Sequence, residues 1–187
     1  MTGRPHHPMT TRTLSALALA AALGGCGSKD GSVAGGASGK ASDWAVDACK
    51  TFPLAAASEA AGVTFVKADT PNQTDTGQVL VSNCSYSTAD GESLGVLLRQ
   101  DKTDGTTVDT QIAGLKSQPD VTGPMDDVAM PKGKAIWSVK MNTLSYVPQD
   151  GRMIVVTPPG AVTFGKKGPP AAELKAKAIA IANAIEG

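Results

Sequence analysis

Two alternating stretches joined by an Asp-Gly turn constrain this chain more than any other feature. From Val79 to Thr88, the residues Leu80, Ser82, Cys84 and Tyr86 fall on one face of an extended segment. That period of two marks a half-buried β-strand. Asp90-Gly91 supplies a tight turn, and Ser93-Leu-Gly-Val-Leu-Leu-Arg99 returns as a second strand. A hairpin of this kind commits the chain to an antiparallel sheet with one face packed and the other wetter.

The remaining segments supply the cover and more strands. Thr51 is positioned to cap a short helix with Pro53 in its first turn, running from Leu54 to Ala61 and stopped by Gly62. Val63 to Val66 reads as a strand. Thr107 to Lys116 places Val108, Ile112 and Leu115 on one helical face. Ala135 to Met141 alternates Ala135, Trp137, Val139 and Met141, and strands over Leu144–Val147 and Met153–Thr157 flank an Asp150-Gly151 turn. Pro169-Pro170 opens a last helix whose apolar stripe is Leu174, Ala178, Ile181 and Ile185. The expected fold is α+β, in the order α-β-β-β-α-β-β-β-α, with an antiparallel sheet of about six strands covered by helices on one side.

The first part of the chain reads as an address rather than as fold. Arg4 and Arg12 precede the apolar run Leu14–Leu23, which ends in Gly24-Gly25-Cys26. A basic region, a short apolar core and small residues before a cut describe an export signal over residues 1–25. The run is about half the roughly twenty residues that a membrane-spanning helix needs. Met9-Thr-Thr-Arg12 is a more usual opening than one holding His6, His7 and two prolines, so either Met1 or Met9 serves as the start. Leu23-Gly24-Gly25-Cys26 resembles the bacterial lipobox, which implies a diacylglycerol thioether on Cys26 and anchorage to a membrane. Gly27 stands where aspartate would retain an inner-membrane lipoprotein. In a bacterium with two membranes the expected address is therefore the outer one, with the domain facing the periplasm. Residues 27–43 are rich in Gly, Ser and Ala and hold no aromatic, as befits a flexible tether of about 20–25 Å. Residues 44–187 then form a single globular domain.

Removing residues 1–25 takes Arg4 and Arg12 with it. The mature 162 residues keep 15 basic and 17 acidic side chains, a net charge near −2, and no histidine. Seven aromatics and no basic excess argue against nucleic acid as a partner. Beyond Cys26, the cysteines are Cys49 and Cys84, an even pair in an exported chain, and a disulfide is the default. A reactive thiol pair or a soft-metal site are the alternatives, although a redox pair usually sits two residues apart. Closing a loop of about 36 residues stabilises by about 3–4 kcal/mol.

The motifs that suggest chemistry each meet a simpler reading. Gly91-Glu-Ser93-Leu-Gly95 matches the esterase elbow as a string, but it opens a strand after a turn, and the mature chain has no histidine to take the serine proton. The same absence removes the commonest metal ligand. Met125, Met130, Met141 and Met153 could offer thioethers to Cu(I), yet irregular spacing suits core filling better. Glu59, Glu92, Glu173 and Glu186 sit at helix surfaces or turns, whereas a glycosidase needs two converging carboxylates. Asp126 and Asp127 are adjacent and should point apart. Asp101, Asp104 and Gly105 lack the spacing and closing glutamate of a calcium loop. No metal and no cofactor are expected. Two long loops, Gln118–Lys134 and Pro158–Pro170, are contact candidates. The second sets Val162 and Phe164 beside Lys166 and Lys167, a pairing suited to a partner surface, although the favoured reading makes Ala161–Phe164 a further short strand with Phe164 packed inward.

Asp47-Ala-Cys49-Lys-Thr-Phe-Pro, Glu59-Ala-Ala-Gly62, Asn83-Cys84-Ser-Tyr86, Ala135-Ile-Trp137 and the stretch Leu144–Val156 together resemble uncharacterised small bacterial envelope lipoproteins. The resemblance covers about 140 residues. It implies a helix-covered antiparallel sheet of PsbP-like type and supplies no catalytic residues. Pro131-Lys-Gly-Lys134 stands where that pattern has Gly-Asp. The expected function is a non-enzymatic, lipid-anchored domain that binds an envelope protein or assists an assembly. A periplasmic small-ligand carrier is the alternative, and an enzyme of unknown type comes third.

Overall fold

The computed structural model describes residues 44–70, 72–163 and 167–187, all within one unit of the chain. The Asp47 carboxylate accepts from the backbone N–H groups of Cys49 and Lys50 (3.1 and 3.2 Å) and so caps α1, Ala48–Thr51. Thr51 belongs to that turn. Its hydroxyl donates to the Trp44 carbonyl at 2.8 Å, so it does not cap the helix that follows. Helix α2, Leu54–Ala61, begins after Pro53 and ends at Gly62, whose φ of +66° suits a residue without Cβ.

Strand β1 runs from Phe65 to Asp69, two residues later than the spacing suggests, because the Phe65 N–H is first held by the Ser58 hydroxyl at 3.1 Å. Strand β2, Gln73–Asp75, was not expected from the sequence: it is three exposed polar residues with no apolar period to read. β3, Val79–Thr88, and β4, Ser93–Asp101, form the hairpin that the alternation predicts. Thr107 caps α3, Val108–Lys116, in a reciprocal capping box with Thr110. The expected long loop after it contains two short elements instead, α4 at Pro119–Thr122 and β5 at Met125–Val128. β6 (Lys134–Ser138), β7 (Thr143–Val147), β8 (Arg152–Thr157) and α5 (Ala171–Glu186) complete the order. Residues 161–163 form no strand. Phe164, and with it the expected packing of its ring, lies outside the described residues.

The fold is α+β with an antiparallel sheet, but it has eight strands rather than about six, in the order β1-β3-β4-β8-β7-β6-β5. β2 pairs with β3 on the same edge as β1, so the two act as one broken edge strand. The strand β6 stops at Ser138. Val139 and Met141, expected on the inward face, lie in the turn to β7 and are 47 % and 50 % exposed. That turn needs a residue with positive φ, supplied by Asn142 at +49°.

Helices lie on both faces, not on one. The larger core packs α1, α2 and α5 against Leu80, Cys84 and Tyr86 of β3, Leu94, Val96 and Leu98 of β4, and Trp137, Tyr146 and Ile154 further along the sheet. α5 contributes Leu174, Ala178, Ile181 and Ile185, the stripe read from its spacing. α3 covers the opposite face. Its Ile112 forms a second cluster with Ile136 and Val147, flanked by Val108, Leu115, Met125 and Met153. Burial along the strands follows the same division. β6 and β7 are buried at nearly every position, as strands covered on two sides must be, while β3 and β4 alternate strictly.

Candidate functional site

Since α3 covers only the β6–β7 half of its face, the outward side chains of β3, β4 and β8 remain half-exposed. Register sets them in rows. Asn83, Leu97 and Val155 lie side by side, with Ser85, Gly95 and Thr157 next to them. Together these residues line a shallow trough of about 290 Å³ with an apolar floor at Leu97 and Val155. Gly95 makes a dent in that floor: a Cβ there would meet only Thr157, at 3.6 Å, so no internal crowding demands a glycine. A glycine inside a strand weakens it and often marks where another chain or ligand comes close.

One step along the same strands, at Arg99 and Met153, lies a separate cleft of about 460 Å³ between β4, β8 and the flank of α3. Thr110, Gln111, Gly114 and Gln118 form the helix side. Gly114 repeats the oddity of Gly95. It lies in the middle of a helix at some cost, and a Cβ on it would meet nothing within 4 Å.

Charge enters the cleft through one guanidinium. The Asp101 side chain is 2 % exposed, and its Oδ1 accepts from Nε of Arg99 at 3.0 Å and pairs with Nη2 at 3.0 Å. Gln111 donates to the other carboxylate oxygen at 3.1 Å. A guanidinium offers five N–H donors. Asp101 takes one edge of it, so the other edge is held in a fixed direction. Two acceptors on this face, Gln111 Oε1 and Asn83 Oδ1, are buried without a hydrogen-bond partner among the described residues. The end of α3 beside the cleft is pinned by the Asp150 carboxylate, which accepts from the Val108 N–H at 2.7 Å.

Of the residues singled out from sequence, Met153 lines the cleft and Asp101 braces it, and the others fall elsewhere. Cys49 and Cys84 are joined, with Cα atoms 5.0 Å apart, and link α1 to β3 on the core side. Val162 is 59 % exposed and Lys167 is exposed, in the segment that leaves the groove end of β8 at Thr157. Phe164, Lys166 and Cys26 lie outside the described residues. Ser93 is the first residue of β4, paired with Ser87. Asp126 and Asp127 do point apart, toward Lys175 of α5 (3.7 Å) and Lys116 of α3 (2.6 Å). Asp101 is buried and bonded to Arg99. Met125 and Met153 flank the second cluster, Met130 packs on the first, and Met141 is exposed, so the four do not converge. Among the described residues no three His, Cys, Asp or Glu side chains gather to hold a metal, and no helix is long and apolar enough to cross a membrane.

Alternation along a strand marks the face it buries and leaves the groove on the other face without that signal. The signal for the other face is the triplets Val96-Leu97-Leu98 and Ile154-Val155-Val156, where an apolar residue stands at an outward position between two inward ones. Comparison with known proteins returns no match, whether to a family model, a curated protein or a solved structure.

Proposed function

We propose that this protein is exported, anchored through a lipidated Cys26 facing the periplasm, and works without catalysis by binding a partner on the uncovered half of its sheet. One observation carries the binding reading: an apolar floor at Leu97 and Val155 is left open where a second helical layer stops at β6 and β7. Domains bury such faces against another layer, and a face left apolar and accessible marks a contact surface. The leader pattern and the resemblance to small bacterial envelope lipoproteins support the anchor. A chain with no histidine beyond His7 suits binding better than proton transfer. The small-ligand carrier is the second reading, favoured by the cleft beside α3.

Two experiments test this. Mass spectrometry of the protein extracted from membranes should give a chain that begins at Cys26 and carries diacylglycerol. An unmodified Cys26, or cleavage at another bond, contradicts the anchor. Leu97→Glu and Val155→Glu should each leave the melting temperature within a few degrees and abolish co-purification of the partner. Retention of the same partner by both variants contradicts the binding face.

A further inference from the structure

Resting on the reading of this face as a contact surface, we infer that its partner is a polypeptide that presents a free C-terminal carboxylate to Arg99. Its last residues would run extended along β4 and β8 toward Gly95. Three features of the groove converge on that chemistry.

The first is charge. Asp101 is buried and engaged on both oxygens, by Arg99 and by Gln111, so it works as an orienting group and fixes the guanidinium plane. Arg99 keeps 38 % of its side chain exposed and borders the cleft. A planar fork held in this way matches the two oxygens of a carboxylate. The remaining polar side chains of the cleft, Thr106, Thr110, Gln111, Gln118 and Thr122, carry no charge, and Asp101 is buried behind its partner, so the guanidinium of Arg99 is the charged group that faces the cleft among its lining residues.

The second is the pair of unpartnered acceptors. Gln111 lines the carboxylate end and Asn83 the far end, and their Oε1 and Oδ1 atoms are buried with no hydrogen-bond partner among the described residues, so a ligand meets them only when these side chains turn outward. Each calls for an N–H or O–H donor. A peptide backbone brings such donors at intervals, whereas the alkyl chain of a fatty acid brings none. This separates a peptide from a simple aliphatic acid, which would satisfy Arg99 and the apolar floor equally well.

The third is the pair of glycines. Arg99 lies four positions beyond Gly95, about 13 Å along a strand, which is the length of about four extended residues. Gly114 flanks the start of that path and Gly95 its end, and neither is required by a positive φ or by internal packing. Both let a second backbone approach closely.

Calorimetric titration of the intact protein in mild detergent tests the inference, with acetyl-Ala-Val-Ala-Leu as the probe, which sets its two apolar side chains on one face. The free acid should bind about tenfold or more tightly than its C-terminal amide, the ratio a charge-assisted pair implies. Arg99→Lys, which keeps the charge and loses the planar fork, should narrow the ratio of acid to amide affinity and leave the amide unchanged. Gly114→Leu, whose side chain grows into open space, should weaken both peptides at least tenfold while the melting temperature holds or rises. Equal affinities for acid and amide overturn the inference and leave the contact face standing. Hexanoate binding as tightly as the peptide acid overturns it in favour of an aliphatic-acid site. No saturable binding of either peptide overturns it outright. Failure of Arg99→Lys to fold leaves the acid-to-amide ratio and Gly114→Leu to decide.

Discussion

Gly114 and Gly133 carry the same side chain and opposite consequences. A Cβ on Gly133 would lie 2.0 Å from the Val147 carbonyl oxygen and 2.7 Å from Pro148 Cα, at a φ of +64°. Gly133→Ala should therefore cost about 2–4 kcal/mol in urea unfolding. Gly114→Ala should instead stabilise by about 0.5–1 kcal/mol, since it removes backbone freedom and meets nothing. Tyr86 is a second informative residue. It is fully buried, its hydroxyl donates to the Phe52 carbonyl, and its ring stands edge-on to Phe52 and tilted to Phe65. Tyr86→Phe strands that carbonyl and should cost about 1–2 kcal/mol. Burial first, and then the negative charge of Asp47, push the Tyr86 ionisation well above its ordinary value of 10.0. The unfolded chain thus releases this proton before the folded one does. The contribution is complete below about pH 10 and is lost as pH rises toward the folded value. Stability measured from pH 9 to 11 should fall, and Tyr86→Phe should flatten the fall. An equal slope in both proteins would locate the titration elsewhere, with Tyr146 the next group, raised by burial and by Glu186.

At the scale of elements, the disulfide and α5 close the larger core. Cys49 lies on the single turn of α1, which is too short to persist alone, and its bond to Cys84 of β3 holds that turn on the sheet. Cys49→Ala with Cys84→Ala should lose about 3–4 kcal/mol, and reductant should then have no further effect on the unfolding midpoint. Ile181→Ala, at a fully buried position of α5, should cost about 2–5 kcal/mol. Elements with a strong period were legible in the sequence. The β3–β4 hairpin, the stripe of α3 and the stripe of α5 all form where the spacing puts them. Elements without a period were not. β2 is Gln73-Thr74-Asp75 and earns its place only through β3, and β5 is four residues with two adjacent aspartates. The second face escaped for a related reason. Ile136 and Val147 adjoin Trp137 and Tyr146, and an apolar run of that length does not say which neighbour faces which layer.

At the scale of the whole molecule, the domain has a sheet covered fully on one side and half on the other. The proposed export address rests on the leader alone, as a pattern of charge, apolar length and a cysteine at its end that needs no tertiary contact. The groove was not legible in the same way: Arg99, Gln111 and Gly114 converge only when α3 crosses to the face opposite α5. A photo-crosslinking residue placed at Leu97 in the anchored protein of intact cells tests this division most directly, with the same residue at exposed Glu59 of α2 as the comparison. A discrete crosslinked species at Leu97, absent at Glu59 and lost when Gly114→Leu fills the cleft, is the predicted result. Equal crosslinking at both positions, or none at Leu97, would contradict the account.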